Sequence, residues 1–434
     1  MRKSPLVILL TTLLNSFVFS SYVQAELTLD SAIEEALQAD HWNRSNLLQE
    51  QAIRSEAMAS AQLPDPKLRL ALANLPLDSL DFNQENMTQL QFGLSQQFPR
   101  GDSLALKEQQ INLMADKNPL QRLQRMALIK LNVSQTWIAL HQSSQQLDLL
   151  KRKRHIFHEL VSISRANFRS GKAKRFEVLD AELQLTRLRD RITQLEKSVA
   201  QQQGQLQKWL LSPANSALPV SLQAPDLLTE PGNLSALESA LNQHPQMQLI
   251  AQDIQIKDKG VELAEEAYKP GFKVDANYGY RDDASSGMER ADFLSVAVTM
   301  DLPLFPEKRQ DQRRNAAIKQ RESSKELRLL KARELKSGVE VALADLAGLQ
   351  QRLSIYDRSY LLQLSEKRKA ALRAYAAADA RFNEVASSAI SELEAQLQRI
   401  ALEHQIARAN VQVNYYLAGV DPQLTSAQSA AEDK

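Results

Sequence analysis

The chain has 434 residues with 53 Lys and Arg against 52 Asp and Glu, so its formal net charge at pH 7 is +1. Because the charges are balanced, the chain as a whole has no strong electrostatic field that would attract nucleic acid or anionic lipid. The chain has no cysteine, which excludes disulfides, thiol catalysis and Cys-ligated metals. Only 12 glycines, with abundant Ala, Leu, Gln, Glu, Lys and Arg, predict long helices. Four short segments of alternating residues, described below, add a small β part to this mainly α fold.

The first 25 residues have the pattern of an export signal. Arg2 and Lys3 precede an apolar region over residues 6–19, and small residues at 23–25 predict a mature start at Glu26. No later segment approaches ~20 consecutive apolar residues, the length that a membrane-spanning helix needs. We therefore expect an exported protein that does not cross a membrane with a helix, and that is not lipidated because it has no cysteine.

The mature chain begins with a first structural repeat over residues 26–211. Its predicted elements, in order, are a helix over residues 26–62, strands over 67–74 and 87–98, a long helix over 101–169 and a return helix over 176–211. Pro64 and Pro66 end the first helix, and Pro119 predicts a kink or break in the long one. Apolar residues of the return helix recur every three or four positions from Leu185 to Trp209, the spacing of a coiled-coil seam.

A second repeat over residues 234–420 follows a Pro-rich linker at 212–233, and a polar tail over 421–434 is expected to be disordered. Its predicted elements are a helix over residues 234–268, strands over 272–281 and 292–302, a long helix over 307–375 and a return helix over 382–417. The offset between corresponding positions stays near 205, as in Pro64 and Pro270, Val133 and Val339, and Leu188 and Leu393. We interpret this as an internal duplication.

The four strands have the length and alternation of strands that cross an outer membrane, where about 9–11 tilted residues suffice. Hydrocarbon tolerates no open sheet edge, and membrane barrels start at about eight strands, so four strands cannot close alone. The chain must therefore oligomerise if it spans a membrane. A dimer and a trimer both satisfy closure, and a trimer gives twelve strands.

Three features of the sequence together resemble a known family. They are the duplicated order of elements, the strand-to-helix joints FPRGDSLALK and LPLFPEKRQ, and the hairpin turns NFRSGKAKRFEVLDAELQL and ADARFNEV. On these residues the chain resembles the TolC-type outer-membrane efflux channels over nearly all of residues 26–420. The run LPDPKL, NLP, MTQ and FPRGD resembles the branch that works with heavy-metal cation pumps of the resistance-nodulation-division class.

This resemblance implies a homotrimer that shares one 12-stranded transmembrane β-barrel and one periplasmic α-helical barrel built of coiled-coil helices. It implies a passive exit duct in the outer membrane, extending into the periplasm and docking onto a periplasmic adaptor, or membrane fusion, protein and an inner-membrane resistance-nodulation-division pump. The implied partners are thus copies of the same chain, the adaptor, the pump and outer-membrane lipid. The solute is expected to be chosen by the pump and adaptor.

The hairpin tips are the first candidate site, for adaptor docking and for narrowing the pore. The candidate residues are Ser170, Gly171, Lys172 and Phe176 in the first hairpin and Ala378, Asp379 and Phe382 in the second. Asp379, repeated around an axis, would form an acidic constriction. The alternative is that Gly171 only ends a helix and that the phenylalanines only pack. Alanine replaces the usual turn glycine in the second hairpin.

The strand-to-helix joints are the second candidate site, where the backbone must change direction. The candidate residues are Phe98, Pro99 and Gly101 in the first repeat and Pro303 and Pro306 in the second. Prolines redirect a chain without requiring a ladder or helix hydrogen bond of their own.

No catalytic, cofactor or metal site is predicted. The sequence has no Gly-rich phosphate loop, GxSxG or HExxH motif, and His155 and His158 lie beside the basic run 151–154, which disfavours a bound cation. That run is interpreted as a solvated helix face, with no nucleic acid as partner. The alternative to a duct is a periplasmic coiled-coil scaffold outside the membrane, which would have no use for duplicated amphipathic strands.

Overall fold

The computed structural model describes residues 26–211, 225, 234–377 and 379–421. The predicted signal peptide, most of the predicted linker and, beyond Asp421, the predicted tail lie outside the described residues. The elements are α1 (Leu29–Gln38), α2 (His41–Ser60), β1 (Lys67–Ala73), β2 (Gln89–Phe98), α3 (Ser103–Arg169), α4 (Arg175–Gln207), α5 (Leu234–Asn242), α6 (Pro245–Glu266), β3 (Gly271–Tyr280), β4 (Phe293–Asp301), α7 (Gln310–Ile355), a π-helical segment (Tyr356–Tyr360), α8 (Leu361–Ala376), α9 (Phe382–Tyr416) and a short 3₁₀ turn (Ala418–Val420).

The prediction of one helix at the start of each repeat was wrong, because each is two helices. Asp40, with φ −74° and ψ 92°, is extended between α1 and α2. Between α5 and α6 the break falls at His244, which precedes Pro245. A proline disfavours the helical conformation of the residue before it, and it is well placed as the first residue of a new helix.

The long helix of the first repeat is not broken at Pro119; α3 runs through it for 67 residues, about 100 Å at 1.5 Å per residue. Proline has no N–H to give to the carbonyl four residues earlier, that of Ala115. The side chain of Asn118 supplies the missing donor, with its Nδ2 at 3.1 Å from that carbonyl oxygen. Asn46 of α2 in turn donates to the Asn118 side-chain oxygen at 2.9 Å, so α2 stabilises α3 at the proline.

The other long helix contains an irregularity that the sequence did not predict. Residues Tyr356–Tyr360 are π-helical between α7 and α8. Asp357 of this segment pairs with Arg399 of α9 at 2.6 Å. The remaining predicted boundaries coincide with the observed ones or differ from them by up to four residues; α4, for example, ends at Gln207 rather than at residue 211.

The four strands form one antiparallel sheet in the order β1-β2-β3-β4. Leu70, Phe92, Tyr278 and Leu294 are paired in register across it, so the apolar positions of all four strands share one face. Arg69, Gly93, Asn277 and Ser295 are aligned likewise on the other, polar face. β1 and β4 are the outer strands of the sheet and have no further strand partner within the part of the chain that is described.

The cores lie between the helices rather than under the sheet. One core joins α3, α4, α8 and α9 toward the hairpin tips, around Leu150, Leu188 and Leu393. A second, around Trp137 and Val133, joins α1, α3, α4 and α9. A third packs α5, α6, α7 and α9 around Val339. The predicted seam residues Leu185, Leu188 and Leu206 are buried in the first two cores, and so are Leu393 and Leu397 of the second return helix.

Within one chain α4 packs on α3, α3 on α9, and α9 on α7 and α8. The helical hairpins thus stand side by side as one wall, which the two joints connect to the sheet. No helix among the described residues is long and apolar enough to cross a membrane.

Candidate functional site

The apolar face of the sheet is open to solvent in the isolated chain. Leu70, Leu294 and Val296 expose 63%, 76% and 67% of their surface. Soluble monomers rarely leave a contiguous apolar surface of this size uncovered. The sheet is therefore built to meet an apolar phase or another protein on this face, and water on the face that carries Arg69, Asp275 and Asn277.

The first joint is a compact turn at the end of β2. Phe98, the last residue of β2, pairs with Phe272 of β3, and Pro99 follows it directly. Gly101 has φ +46°, a left-handed conformation that glycine adopts without strain. A Cβ at this position would lie 1.9 Å from Oε2 of Glu266, so a side chain has no room there.

The carboxylate of Glu266 holds this joint to the end of α6. It accepts the N–H of Asp102 at 2.8 Å and pairs with the Lys269 ammonium at 2.8 Å. The hydrogen bond from Lys269 holds the pKa of Glu266 below its usual range. Arg100 also donates to the carbonyl of Ala267 at 2.6 Å. The joint is thus fixed by contacts from both repeats, which sequence reasoning missed because residues 100–102 and 266–269 are far apart in the chain.

The second joint is more open. β4 ends at Asp301, and Pro303 and Pro306 lie in the irregular segment before α7 begins at Gln310. The carbonyl of Pro306 accepts the N–H of Asp311 at 3.0 Å, which starts the helix. Three apolar side chains of this segment are exposed, namely Leu302, Leu304 and Phe305.

The tip of the first hairpin is a tight turn after α3. Gly171 has φ +74°, and the N–H groups of Lys172 and Ala173 donate to the carbonyl of Asn167 at 2.8 and 3.2 Å. Ser170 also donates to that carbonyl through its hydroxyl, at 3.0 Å. Gly171 therefore does act as a helix terminator.

The tip of the second hairpin lies against the first. Asn167 donates to the hydroxyl of Tyr375 at 2.8 Å, and the Tyr375 ring meets the Phe382 ring edge-on with centroids 6.2 Å apart. Phe382 is 1% exposed, whereas Phe176, its counterpart in the first hairpin, is 56% exposed. The N–H of Asp379 donates to the carbonyl of Ala374 at 2.8 Å; Ala378 lies outside the described residues.

Residues 236–421 match the family described as outer membrane efflux protein. These 186 of the 434 residues span nearly all of the second structural repeat. No curated protein matches its sequence at a significant level.

Solved structures match the fold of nearly the whole chain. A structure of CusC has a TM-score of 0.75 at 17% identity and covers 91% of this chain and 92% of its own. The CmeC outer membrane channel of Campylobacter jejuni has a TM-score of 0.75 at 13% identity, covering 93% and 88%. The open state of the MtrE outer membrane channel of Neisseria gonorrhoeae has a TM-score of 0.71 at 16% identity, covering 97% of each chain.

The chain buries three histidines that appear scattered in the sequence. His141 and His404 meet between α3 and α9, with Nδ1 of His141 at 2.9 Å from Nε2 of His404. The other nitrogen of His404, Nδ1, lies 2.7 Å from the carbonyl of Ile400. His244 caps α6, accepting the N–H of Gln246 at 3.2 Å, and its Nε2 lies 3.2 Å from the carbonyl of Tyr415. Among the described residues no group of three or more His, Asp or Glu could hold a metal ion.

Burial makes two of these imidazoles hard to protonate. It lowers the pKa of His404 to about 4, with further repulsion from His141 and Arg408, and it lowers that of His244 to about 4, with further repulsion from Lys331. An unfolded histidine has a pKa near 6.5, so between pH ~6.5 and ~4 the unfolded chain binds more protons than the folded chain. These two groups therefore contribute stability that is complete above pH ~6.5 and is lost as pH falls toward 4.

We expect the melting temperature of the purified protein, followed by circular dichroism, to fall as the pH is lowered from 7 to 4.5. At pH 4 each histidine accounts for a loss on the order of 3 kcal/mol, since one pKa unit corresponds to about 1.4 kcal/mol. His244→Gln and His404→Gln keep hydrogen-bonding groups at these positions but cannot titrate, so both variants should melt with a flatter pH dependence. His41→Gln, at an exposed position, is the control. A wild-type slope unchanged in the double variant would contradict the assignment.

Proposed function

We propose that this protein is the outer-membrane channel of a tripartite efflux system, a passive exit duct across the outer membrane and periplasm. The observation that carries the proposal is the sheet: an exposed apolar face, a polar face and two open edges, continued directly by helices of about 100 Å. Lipid would cover the apolar face, and the open edges would pair with other copies because hydrocarbon tolerates no unpaired backbone.

Three copies supply twelve strands, enough to close a barrel whose polar face lines the lumen. The helical wall of each chain would close in the same way into a periplasmic tube. In this assembly the joints at Phe98, Pro99, Gly101, Pro303 and Pro306 lie where the membrane barrel becomes the tube. Their role is to keep the duct continuous.

The partners follow from this geometry and from the family. The hairpin tips lie farthest from the membrane, where a periplasmic adaptor and an inner-membrane resistance-nodulation-division pump would deliver the solute. Heavy-metal cations are the solute class that the resemblance to one branch suggests. The protein would supply the path, and the pump and adaptor would choose the cargo.

The duct is tested by isolating the full-length protein from outer membranes and adding it to a planar lipid bilayer. We expect an oligomer of three chains that dissociates only on heating in detergent, and uniform conductance steps in the bilayer. Recovery as a soluble monomer without conductance would instead support a periplasmic coiled-coil scaffold.

The same recordings test the acidic constriction. Three Asp379 carboxylates close to the axis would bind multivalent cations and so let them block the current. Asp379→Ala is expected to weaken block by a trivalent cation at least tenfold, whereas Asp345→Ala, on α7 away from the tips, should leave it unchanged. Equal block in wild type and Asp379→Ala would place the constriction elsewhere.

A further inference from the structure

Arg408 of α9 is a half-buried cation without a counter-charge. Its Nη2 donates to the side-chain oxygen of Gln142 on α3 at 2.6 Å, and among the described residues no carboxylate forms an ion pair with it. Burial lowers the pKa of Arg408, but an arginine stays protonated at any physiological pH. A charge that is withdrawn from water is normally paired, so the missing partner of Arg408 requires an explanation.

The other half-buried arginines of the described helices each meet a carboxylate of the same chain. The pairs are Arg122–Glu50, Arg125–Asp40, Arg321–Glu322, Arg368–Glu392 and Arg399–Asp357. Acidic residues are therefore supplied wherever these helices bury an arginine, with Arg408 as the exception in the part of the chain that the structure describes. We conclude that its counter-charge comes from outside the chain.

The position of Arg408 on α9 places it on a particular side of the helical wall. α9 packs between α3 and α7, so its two remaining faces are the two sides of the wall. Asn410 follows two residues later, about 200° around the helix, and it donates to the carbonyl of Pro225 at 3.1 Å. Arg408 therefore lies on the side opposite the segment at Pro225.

The side that carries Arg408 is the one that would face the lumen. Trp137 of α3 donates to the carbonyl of Leu27 before α1 at 2.8 Å, and Gln142 lies five residues further, about 140° around α3. Gln142 and Arg408 are thus both turned away from the segments added to the wall, at Leu27 and at Pro225. In the assembly proposed above those segments must lie outside the tube, because inside it they would obstruct the duct.

The surroundings of Arg408 on this side are neutral amides. Gln405 and Gln412, three and four residues away, share its side of α9, and Gln412 accepts a hydrogen bond from Gln135 of α3 at 3.2 Å. Arg408 lies between α3 and α9, whereas α4, α7 and α8 are at the edges of the wall, so a seam between copies would not reach it. Three copies would place three guanidiniums at one height around the axis.

We propose that Arg408 is an anion-binding site on the inner wall of the duct, where the arginines of the copies form a ring that binds carboxylate or phosphate groups of the solute. The proposal rests on the proposed function, since it requires the lumen, and it specifies the solute class. A guanidinium presents a planar fork of N–H donors that matches both groups, and among the described residues only Nη2 has a partner, Gln142. The ring favours a solute that carries such a group over a bare metal cation, which it repels.

The first test is block of the channel current in planar bilayers by two anions, citrate and tripolyphosphate. We expect both to block the wild-type protein, with an affinity that falls as salt is raised. Arg408→Gln should weaken the block roughly tenfold or more, the loss expected when hydrogen bonds to a charged group are removed. Arg408→Lys keeps the charge and should be blocked more strongly than Arg408→Gln.

The matched control is Arg399→Gln, which removes the same charge from α9. Arg399 lies nine residues before Arg408, about 900° around the helix and so on its opposite side. Block of this variant should equal that of the wild type. Equal block in wild type and Arg408→Gln would overturn the proposal. Normal conductance without block by either anion would reject the anion site alone, whereas absent conductance would reject the duct.

A second measurement does not depend on conductance. An anion that binds the folded protein raises its stability, so the wild type in detergent should melt at a higher temperature in tripolyphosphate than in KCl of the same ionic strength. Arg408→Gln should show no such difference. In KCl this variant should melt at or above the wild-type temperature, because it removes an unpaired, half-buried charge. Melting well below the wild type would mean that Arg408 stabilises the wall itself and would overturn the proposal.

Discussion

Val296→Arg is expected to remove most of the protein from the outer membrane. Val296 lies in the middle of β4 on the apolar face, is 67% exposed in the isolated chain, and would face lipid near the centre of the bilayer. An arginine there costs about 2–4 kcal/mol in a membrane barrel, and the cost recurs in every copy. The measurement is the amount of heat-modifiable oligomer in outer-membrane fractions, with conductance of whatever is inserted.

The neighbouring residue provides a matched control. Ala297 is also exposed, but it lies on the polar face, opposite Asp275 of β3, where an arginine would meet water and a carboxylate. Ala297→Arg should therefore insert at near wild-type levels and alter only the conductance. Equal insertion of the two variants would mean that the apolar face does not meet lipid.

Gly101→Ala is expected to destabilise the first joint by on the order of 3–4 kcal/mol. A side chain in the left-handed conformation costs about 1–2 kcal/mol, and its Cβ would displace the Glu266 carboxylate, which loses charge-assisted hydrogen bonds of about 1.5–3 kcal/mol. We expect a lower melting temperature by circular dichroism and less inserted oligomer, because the joint connects the sheet to the long helix.

Two further variants separate the backbone strain at position 101 from the steric clash of its Cβ with the Glu266 carboxylate. Gly287 also has a positive φ, +78°, but a Cβ there would contact nothing within 4 Å, so Gly287→Ala should cost only the strain. In a Glu266→Ala background, Gly101→Ala should cost less than in the wild type, since the carboxylate is gone. If Gly101→Ala lowers the stability no more than Gly287→Ala does, the Glu266 side chain moves aside without an energetic cost.

Much of the fold was predictable because its signals are local. Alternation of apolar and polar residues predicted the strands, the spacing of apolar residues predicted the long helices, and the glycine predicted the turn at Gly171. The errors also have local causes. Pro119 predicted a break, and the break is absent because Asn118, bonded to Asn46 of another helix, supplies the missing donor. The interruption at His244 has a local signal in Pro245, which the helical composition of its surroundings obscured, whereas the one at Asp40 has no neighbouring proline or glycine.

The candidate site was less predictable, because its decisive contacts join the two repeats. Nothing local shows that Glu266 reaches Asp102, or that His141 meets His404 across 263 positions. Phe176 and Phe382 occupy equivalent turns and were given one role, yet one is exposed and the other buried. The overall charge of +1 likewise does not show that Arg408 lacks a carboxylate partner among the described residues.

The sequence by itself determined the duplicated order of helices and strands and the amphipathic strands, since periodicity and proline positions act on the chain near themselves. Only the tertiary structure decided which apolar residues are left uncovered and which charges are paired. These depend on how two distant repeats pack against each other. The apolar face of the sheet is left uncovered by that packing, because no helix among the described residues packs against it.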